Sequence, residues 1–282
     1  MKNLVATVFY YTGISWVFFF LSRIVYGKHI RVVNYHGTPA RQSMEFERQL
    51  RWLRKWYVET DLNELKLFLS GEEWKKPRPG LIISFDDGKR NNFDVAKPLL
   101  EKYGFIGWFF IPAGWVNASK EEQFEEQKDD HDLIAEYQND RLIVNGDELH
   151  TLLKKHVVGC HTHTHHRMRS SDEDFTLRKE IVSSKELLER ILGQEQTIFC
   201  WVGGEEVHYT RAAATLIKDA GYQFAFTTNN YPILPNEDPH RLERTNIETY
   251  NSIHLVLFQL SGLMDLFYFR KRRRLKQIFS IG

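Results

Sequence analysis

Along most of the chain, short apolar runs alternate with stretches whose apolar residues recur every three or four positions. That alternation predicts strands followed by helices. Ile30-Arg31-Val32-Val33-Asn34-Tyr35-His36-Gly37 is a β-branched run that stops at a glycine with Pro39 beyond, a strand entering a loop. Phe46, Leu50, Leu53 and Trp56 then recur at helical spacing over Met44 to Tyr57, and a short helix is predicted near Leu62 to Leu69. Pro77 and Pro79 interrupt the chain before the strand Leu81-Ile82-Ile83-Ser84-Phe85, which delivers Asp86-Asp87-Gly88. A helix marked by Phe93, Ala96, Leu99, Leu100 and Tyr103 and a strand over Gly107 to Pro112 follow. Further on come a short helix over Asp147 to Lys155, the strand His156 to Cys160, a long amphipathic helix over Leu177 to Leu192 stopped by Gly193, and the strand Ile198 to Val202. A helix over Thr210 to Ala220, strands over Gln223 to Thr228 and Arg244 to Ile247, and an apolar helix over Ile253 to Leu266 complete the pattern. Repeated strand-helix units are the signature of a parallel α/β fold.

Three stretches depart from the alternation. From Leu4 to Leu21 no residue is charged, and Lys2 in front with Arg23, Lys28 and Arg31 behind flank a core that includes Phe18-Phe19-Phe20. The length is near the minimum for a spanning helix. It fits a membrane anchor, a signal segment, or an amphipathic helix packed on its own domain or lying on a membrane. A small-x-small cleavage site is lacking, and Thr7, Thr12, Gly13 and Ser15 with the aromatics suit an interfacial position. Lys120 to Asp140 is rich in Glu, Gln, Asp and Lys and reads as a solvated insertion or lid. The chain ends in a basic cluster, Arg270-Lys271-Arg272-Arg273-Arg274, beside Leu263, Phe267, Tyr268 and Phe269, a composition suited to an anionic leaflet. The expected organisation is an apolar helix over 1–29, a catalytic domain over 30–250, and an apolar helix with basic tail over 251–282.

Charge adds little, since 38 basic residues against 37 acidic ones give +1 and no global field for nucleic acid. Cys160 and Cys200 are too few for a disulfide framework and read as small buried residues. The chemistry concentrates at strand ends. Gly159-Cys160-His161-Thr162-His163-Thr164-His165-His166 carries four histidines in six positions, and neutral imidazole is the usual nitrogen ligand of metals. With Asp86 or Asp87, two of them make a two-His-one-carboxylate set that leaves positions open for water and substrate. Strand C-terminal ends are where parallel α/β folds assemble sites, which would put Asp86, Asp87, His161, His165 and His36 on one rim.

These residues resemble a known family. Ser84-Phe85-Asp86-Asp87-Gly88 and His161-Thr162-His163-Thr164-His165 look like the first two motifs of polysaccharide deacetylases of the NodB-homology type, carbohydrate esterase family 4. The order from Tyr35-His36 to Gly221-Tyr222 is similar to the biofilm-polysaccharide de-N-acetylase branch. The resemblance spans about Ile30 to Ile247. It implies a deformed (β/α) barrel, usually of seven strands, and metal-dependent removal of acetyl groups from an N-acetylated polysaccharide or oligosaccharide. Carried over, Asp86 matches the catalytic base, and Asp87, His161 and His165 match the ligands of one divalent ion, zinc first, with cobalt or nickel as substitutes. Arg244 matches an arginine that orients Asp86, its alternative being a surface arginine.

The general acid departs from the family pattern. A late Leu-His motif finds only His254, which sits in an apolar helical pattern and reads as structural, so His36 is preferred, its alternative being a group that hydrogen-bonds an active-site carboxylate. The third motif also departs, with Phe199-Cys200-Trp201-Val202-Gly203-Gly204 lacking the usual proline and arginine. Trp201 and Trp115 are expected to stack the sugar, His163 to support a ligand or line the groove, and His166 to start a helix. The resemblance implies an N-acetylated glycan as partner and a bacterial cell envelope as location, and the apolar and basic ends of the chain are compatible with a membrane surface beside it. The rival readings are a deacylase of a lipid-linked sugar and a silent glycan-binding or assembly protein on the same fold.

Overall fold

The computed structural model describes residues 2–138 and 140–279. Met1, Asn139 and residues 280–282, the last part of the expected basic tail, lie outside the described residues. The strands are β1 (Ile30–Tyr35), β2 (Val58–Glu59), β3 (Gly80–Phe85), β4 (Gly107–Ile111), β5 (Val157–Cys160), β6 (Ile198–Cys200), β7 (Phe224–Thr227), β8 (Leu242–Glu243) and β9 (Thr245–Asn246). Neighbours follow the order β8-β7-β6-β5-β4-β3-β1-β9, and every pair is parallel.

The two edges of that path are one piece of chain, because only Arg244 separates β8 from β9. The first half of the run bonds β7 through Phe226–Leu242, and the second bonds β1 through Val33–Thr245. The sheet is thereby closed on itself, and the expected seven-stranded barrel is met by seven runs of chain. The remaining strand, β2, fills the place beside the first residues of β3, where Val58 pairs with Gly80 and β4 does not reach.

Side chains alternate across this sheet with period two. Val33, Tyr35, Ile83, Phe85, Phe109 and Phe199 join the apolar layer beneath the helices. Val32, Ile82, Trp108, Phe110, Ile198, Cys200, Phe226 and Leu242 form a second cluster inside the barrel. Along the inward positions the chemistry changes toward the C-terminal end: Val32 is followed by Asn34, Ile82 by Ser84 and Asp86, and Leu242 by Arg244. The interior is therefore an apolar plug with a polar lid, and the polar residues meet at the rim. Cys160 and Cys200 are free, and they belong to opposite layers, so no bridge forms between them.

Several elements differ from expectation for identifiable reasons. The N-terminal apolar run is two helices, Lys2–Tyr11 and Ile14–Tyr26, bent by 82° where Gly13 takes φ 80°. No single helix among the described residues is long and apolar enough to cross a membrane, although the bent pair passes by length and composition. Ala6, Ser15 and Phe19 of this pair are buried on the domain. The predicted helix Ile253 to Leu266 breaks at Gly262, φ 95°, into Ile253–Leu260 and Leu263–Phe267. The helix over Leu177 to Leu192 contains a wide π-type turn, Lys179–Ser183, and a second such turn occupies Asn92–Ala96. Such turns are frequent at functional sites, and both lie behind site loops here.

The insertion and the basic tail are also more structured than their composition suggested. Lys120–Glu126 and His131–Glu136 are capped helices, by Ser119 and Asp130, and Gln123 is buried, its Oε1 accepting from the Leu142 and Ile143 amides. The basic cluster lies in a helix, Phe269–Phe279, whose Leu275 and Phe279 are buried. Lys271 donates to the Gly204 carbonyl, Arg272 to the carbonyls of Asn229, Asn230 and Asp265, and Arg274 to Glu206. Three of the five basic residues thus bind the protein itself, and Arg270 and Arg273 remain exposed. Of the basic cluster expected to suit an anionic leaflet, Lys271, Arg272 and Arg274 therefore have partners within the protein.

Candidate active site

The rim surrounds a cavity of about 330 Å³ lined by Asn34, His36, Asp86, Asp87, His161, His165, Arg167, Trp201, Gly203, Gly204, Glu205, Thr228, Arg244 and Asn246. Asp86 and Asp87 follow β3 directly, and they diverge because Asp87 adopts φ 69° and Gly88 φ 61°, turning the chain sharply. Thr162 and His165 are also left-handed, φ 66° and 59°. The histidine segment therefore turns, as the i, i+4 ligand spacing required. Left-handed backbone costs free energy at non-glycine residues and persists where the surroundings enforce it.

Here the enforcement comes from the π-type turn Lys179–Ser183, which carries Glu180 inward. Its Oε2 accepts from the His163 and Thr164 amides at 2.9 and 2.8 Å, and its Oε1 accepts from the Thr164 hydroxyl at 2.7 Å. On the other side, Asn92 from the second π-type turn donates to the His36 carbonyl at 3.1 Å.

Asp87 Oδ1 lies 3.0 Å from His165 Nε2 and 3.7 Å from His161 Nε2. Asp87, His161 and His165 each present a donor atom, and these atoms lie within 4.8 Å of one another. Asp87 Oδ1 is buried with no hydrogen bond of acceptable geometry. The His161 Nδ1–H donates to the Cys200 carbonyl at 2.9 Å, which leaves Nε2 with its lone pair. An orphaned carboxylate oxygen facing two imidazoles, one with its tautomer set, fits a divalent cation. Burial alone would raise the Asp87 pKa, but Lys89, His165 and His36 hold it well below the usual carboxylate range.

Asp86 is handled differently. Arg244 donates to its two oxygens at 2.7 and 2.9 Å, and Asn34 Nδ2 donates to Oδ2 at 3.0 Å. Arg244 is buried, 1% exposed, so the surface alternative is excluded. Burial opposes ionisation of Asp86, yet Arg244 and His161 keep its pKa below the usual value. His36 Nδ1 is bonded to Glu248 Oε1 at 2.7 Å. Burial would lower the His36 pKa, but the Glu248 hydrogen bond and the Asp87 and Asp86 charges raise it to about 9.

Other expectations need correction. Trp115 and Trp201 are 5% and 1% exposed, and although Trp201 borders the cavity, neither ring is open enough to stack a sugar. Trp115 backs His165 with ring centroids 5.2 Å apart, and Trp201 packs between Tyr209 and Phe279. The alternation explains the latter, since Cys200 points inward and Trp201 outward. His163 sits against Gly114 and does not line the cavity, and His166 starts no helix but pairs with Asp172 at 2.9 Å. His254 lies against Tyr10, centroids 4.1 Å apart, away from the cavity residues. The sequence reading passed over Asn34, Lys89, Glu180 and Glu248. Only Asn34 left a signal there, the polar residue that breaks an otherwise apolar inward row.

The chain is similar to known proteins in sequence and in fold. Residues 74–225 match the family model described as polysaccharide deacetylase. The chain is 26% identical to the protein YxkH of Bacillus subtilis over 226 residues, 77% of this chain and 70% of that one. It is 24% identical to a poly-beta-1,6-N-acetyl-D-glucosamine N-deacetylase of Staphylococcus aureus over 222 residues, 75% and 69% of the two chains. In fold it is similar to the Streptococcus pyogenes deacetylase PplD, with TM-score 0.65 and 17% identity, covering 82% of this chain and 98% of that one. IcaB from Ammonifex degensii gives TM-score 0.65 and 19% identity, covering 84% and 97%. A match running through both strand-end motifs and more than half of the chain makes this protein a member of the polysaccharide deacetylase family, a carbohydrate N-deacetylase.

Proposed function

We propose that the enzyme removes N-acetyl groups from a β-1,6-linked N-acetylglucosamine polymer, with Asp87, His161 and His165 holding a zinc ion and Asp86 and His36 moving the protons. The observation that carries this reading is the pairing of the two adjacent carboxylates with different partners in one polar cavity: Asp87 faces two imidazoles, whereas Asp86 is held by Arg244. The substrate class is supported by the Staphylococcus aureus relative. Zinc is supported by the two-imidazole, one-carboxylate set, which also accepts cobalt or nickel.

The bound cation would supply Lewis acidity, polarising the acetyl carbonyl and acidifying water. Asp86, ionised at neutral pH and fixed by Arg244 and Asn34, accepts the proton of the attacking water. The hydroxyl adds to the acetamide carbon, the C–N bond breaks, and His36 gives its proton to the departing nitrogen, so that acetate and a free amine result. A histidine protonated up to about pH 9 is suited to that donation, and Glu248 holds its other ring nitrogen.

Attachment to a membrane surface belongs to the same proposal. Val17, Phe20, Leu21, Ile24 and Val25 are exposed on the second N-terminal helix, and Leu266, Phe267 and Phe269 near the C-terminus. Tyr26 donates to Asp265 at 3.0 Å, which joins the two sets. Exposed apolar residues gathered on one element can mark an interaction site, and vesicle co-sedimentation that is lost in Ile24→Glu/Val25→Glu tests it.

The test of the activity is acetate release from β-1,6-linked N-acetylglucosamine oligomers with Zn²⁺, Co²⁺ or Ni²⁺ supplied. Release from lipid-linked sugar alone would favour the lipid-linked deacylase. No release from polymeric, oligomeric or lipid-linked substrate would favour the silent binding protein.

A further inference from the structure

We propose that Lys89 is a positioning residue that reserves one oxygen of Asp87, so that this ligand offers the cation a single oxygen and leaves places open for water and substrate. The inference rests on the reading of Asp87 as a metal ligand and goes beyond it. Lys89 is 8% exposed, and its Nζ lies 3.1 Å from Asp87 Oδ2 and 3.0 Å from Asp130 Oδ2. A lysine ammonium is buried at a cost unless charge partners surround it. The fold goes to some length to place it here.

The left-handed pair Asp87 and Gly88 turns the chain back, so that a side chain two residues on reaches the same carboxylate. The turn is clamped by segment 142–144: Val144 donates to the Gly88 carbonyl at 2.9 Å, and Arg90 donates to the Leu142 carbonyl at 2.8 Å. The second partner comes from the charged insertion. Asp130 divides its own oxygens, with Oδ1 capping helix His131–Glu136 through the Leu133 amide at 3.0 Å and Oδ2 taking Lys89. Lys89 is thus fixed from both sides.

What separates this from an ordinary loop-holding ion pair is the division of Asp87. Its Oδ1 faces the two imidazoles, whereas its Oδ2 faces Lys89. Carboxylates bind cations through one oxygen or two. With Oδ2 engaged, Asp87 contributes one. Without Lys89 the second oxygen is free to close on the cation, which strengthens retention and takes a place the reaction uses. Asp130 moderates the same effect, because it draws part of the ammonium's charge away from Asp87.

The experiment compares the full chain with Lys89→Met, Lys89→Arg and Asp130→Asn, reading Zn²⁺ retention against a competing chelator, kcat and KM, and thermal stability. Lys89→Met should retain Zn²⁺ at least as tightly as wild type while kcat falls about 10- to 100-fold with KM little changed, and Lys89→Arg should recover most of kcat. Loss of Zn²⁺ and stability together in Lys89→Met, or an unchanged kcat, would overturn the inference. Should Lys89→Met not fold, Asp130→Asn decides: the lysine then acts on Asp87 alone, and Zn²⁺ retention weakens if the inference holds and stays unchanged if it fails. A wild type that binds no divalent ion would instead remove the ligand assignment itself, a result distinguishable from any of these.

Discussion

Asp86 and Asp87 are consecutive in sequence, yet they belong to two different halves of the site. The Asp87 half is built inside residues 74–225, from one strand-end turn and one histidine segment, with Lys89 and Glu180 close behind. The Asp86 half draws on Asn34, His36, Arg244 and Glu248, all outside that span and brought in by β1 and the closing run. On the proposed roles, cation binding would rest on local motifs, whereas proton handling would also need barrel closure, since Asp86 meets His161 from inside the span and Asn34 and Arg244 from outside it. A fold that lost its closing run would keep the histidines and lose control of Asp86.

Variants that touch one half at a time should separate the two. The largest effect is expected from His161→Ala, which should abolish stoichiometric metal and with it activity by about a thousandfold or more, since Lewis-acid assistance amounts to several kcal/mol. Tight stoichiometric metal in that variant would show that the ligands are misassigned.

Arg244→Met attacks the other half. It leaves Asp86 buried without its bidentate partner, which should cost about 3–5 kcal/mol of stability, read as a lower denaturant midpoint. Metal content should stay intact, and adding Asp86→Asn should restore part of the loss. Equal stability of Arg244→Met and wild type would mean that closure does not support Asp86.

Glu248→Gln sharpens the role of His36. The acid must be protonated, so activity should fall on the alkaline side, at a limb that the Glu248 hydrogen bond holds above the ordinary histidine value. Removing Glu248 takes away the leading interaction that raises this pKa, and the alkaline limb should move down toward the ordinary value near 6.5. An unmoved limb would assign the proton donor elsewhere.

The smallest effect lies away from both halves. His29 and His156 are buried, which lowers their pKa values to about 3 and about 4, with Arg31 adding to the shift at His29. In His156, Nδ1 accepts the Gly107 amide at 3.0 Å, a bond only the neutral ring makes. Both groups bind protons more readily when unfolded. Their contribution is therefore complete above about pH 6.5 and is lost as pH falls toward the folded values, at up to about 1.4 kcal/mol per pH unit for each. Urea midpoints at pH 7.5 and 5 should differ, and His156→Gln should reduce the difference.

How much of this was legible follows from the same division. The parallel strand-helix alternation and the strand-end grouping of Asp86, Asp87 and the histidines are readable because apolar runs end abruptly in carboxylates and histidines, whereas the barrel and the proposed roles of Asp86, Asp87, His161 and His165 come through the resemblance. Arg244 came through resemblance, since only barrel closure brings it to Asp86. Glu180 looks like any polar residue of an amphipathic helix, and the π-type turn that rotates it inward leaves no mark in the hydrophobic period. Lys89 reads as a loop lysine until the left-handed turn is seen. Trp115 and Trp201 were misjudged because nearness to a strand end was weighed above the period-two rule that sends Trp201 outward. The internal partners of Lys271 and Arg272 are not legible either, because composition does not show which cations a neighbouring carbonyl takes.

The central claim, that adjacent carboxylates divide cation binding from proton transfer, is tested most directly by measuring metal content and acetate release together for Asp86→Asn and wild type. Both proteins should hold one divalent ion per chain, with acetate release from N-acetylglucosamine oligomers falling about 10²–10⁴-fold in the variant. An Asp86→Asn protein that loses its metal, or that releases acetate at the wild-type rate, would contradict it.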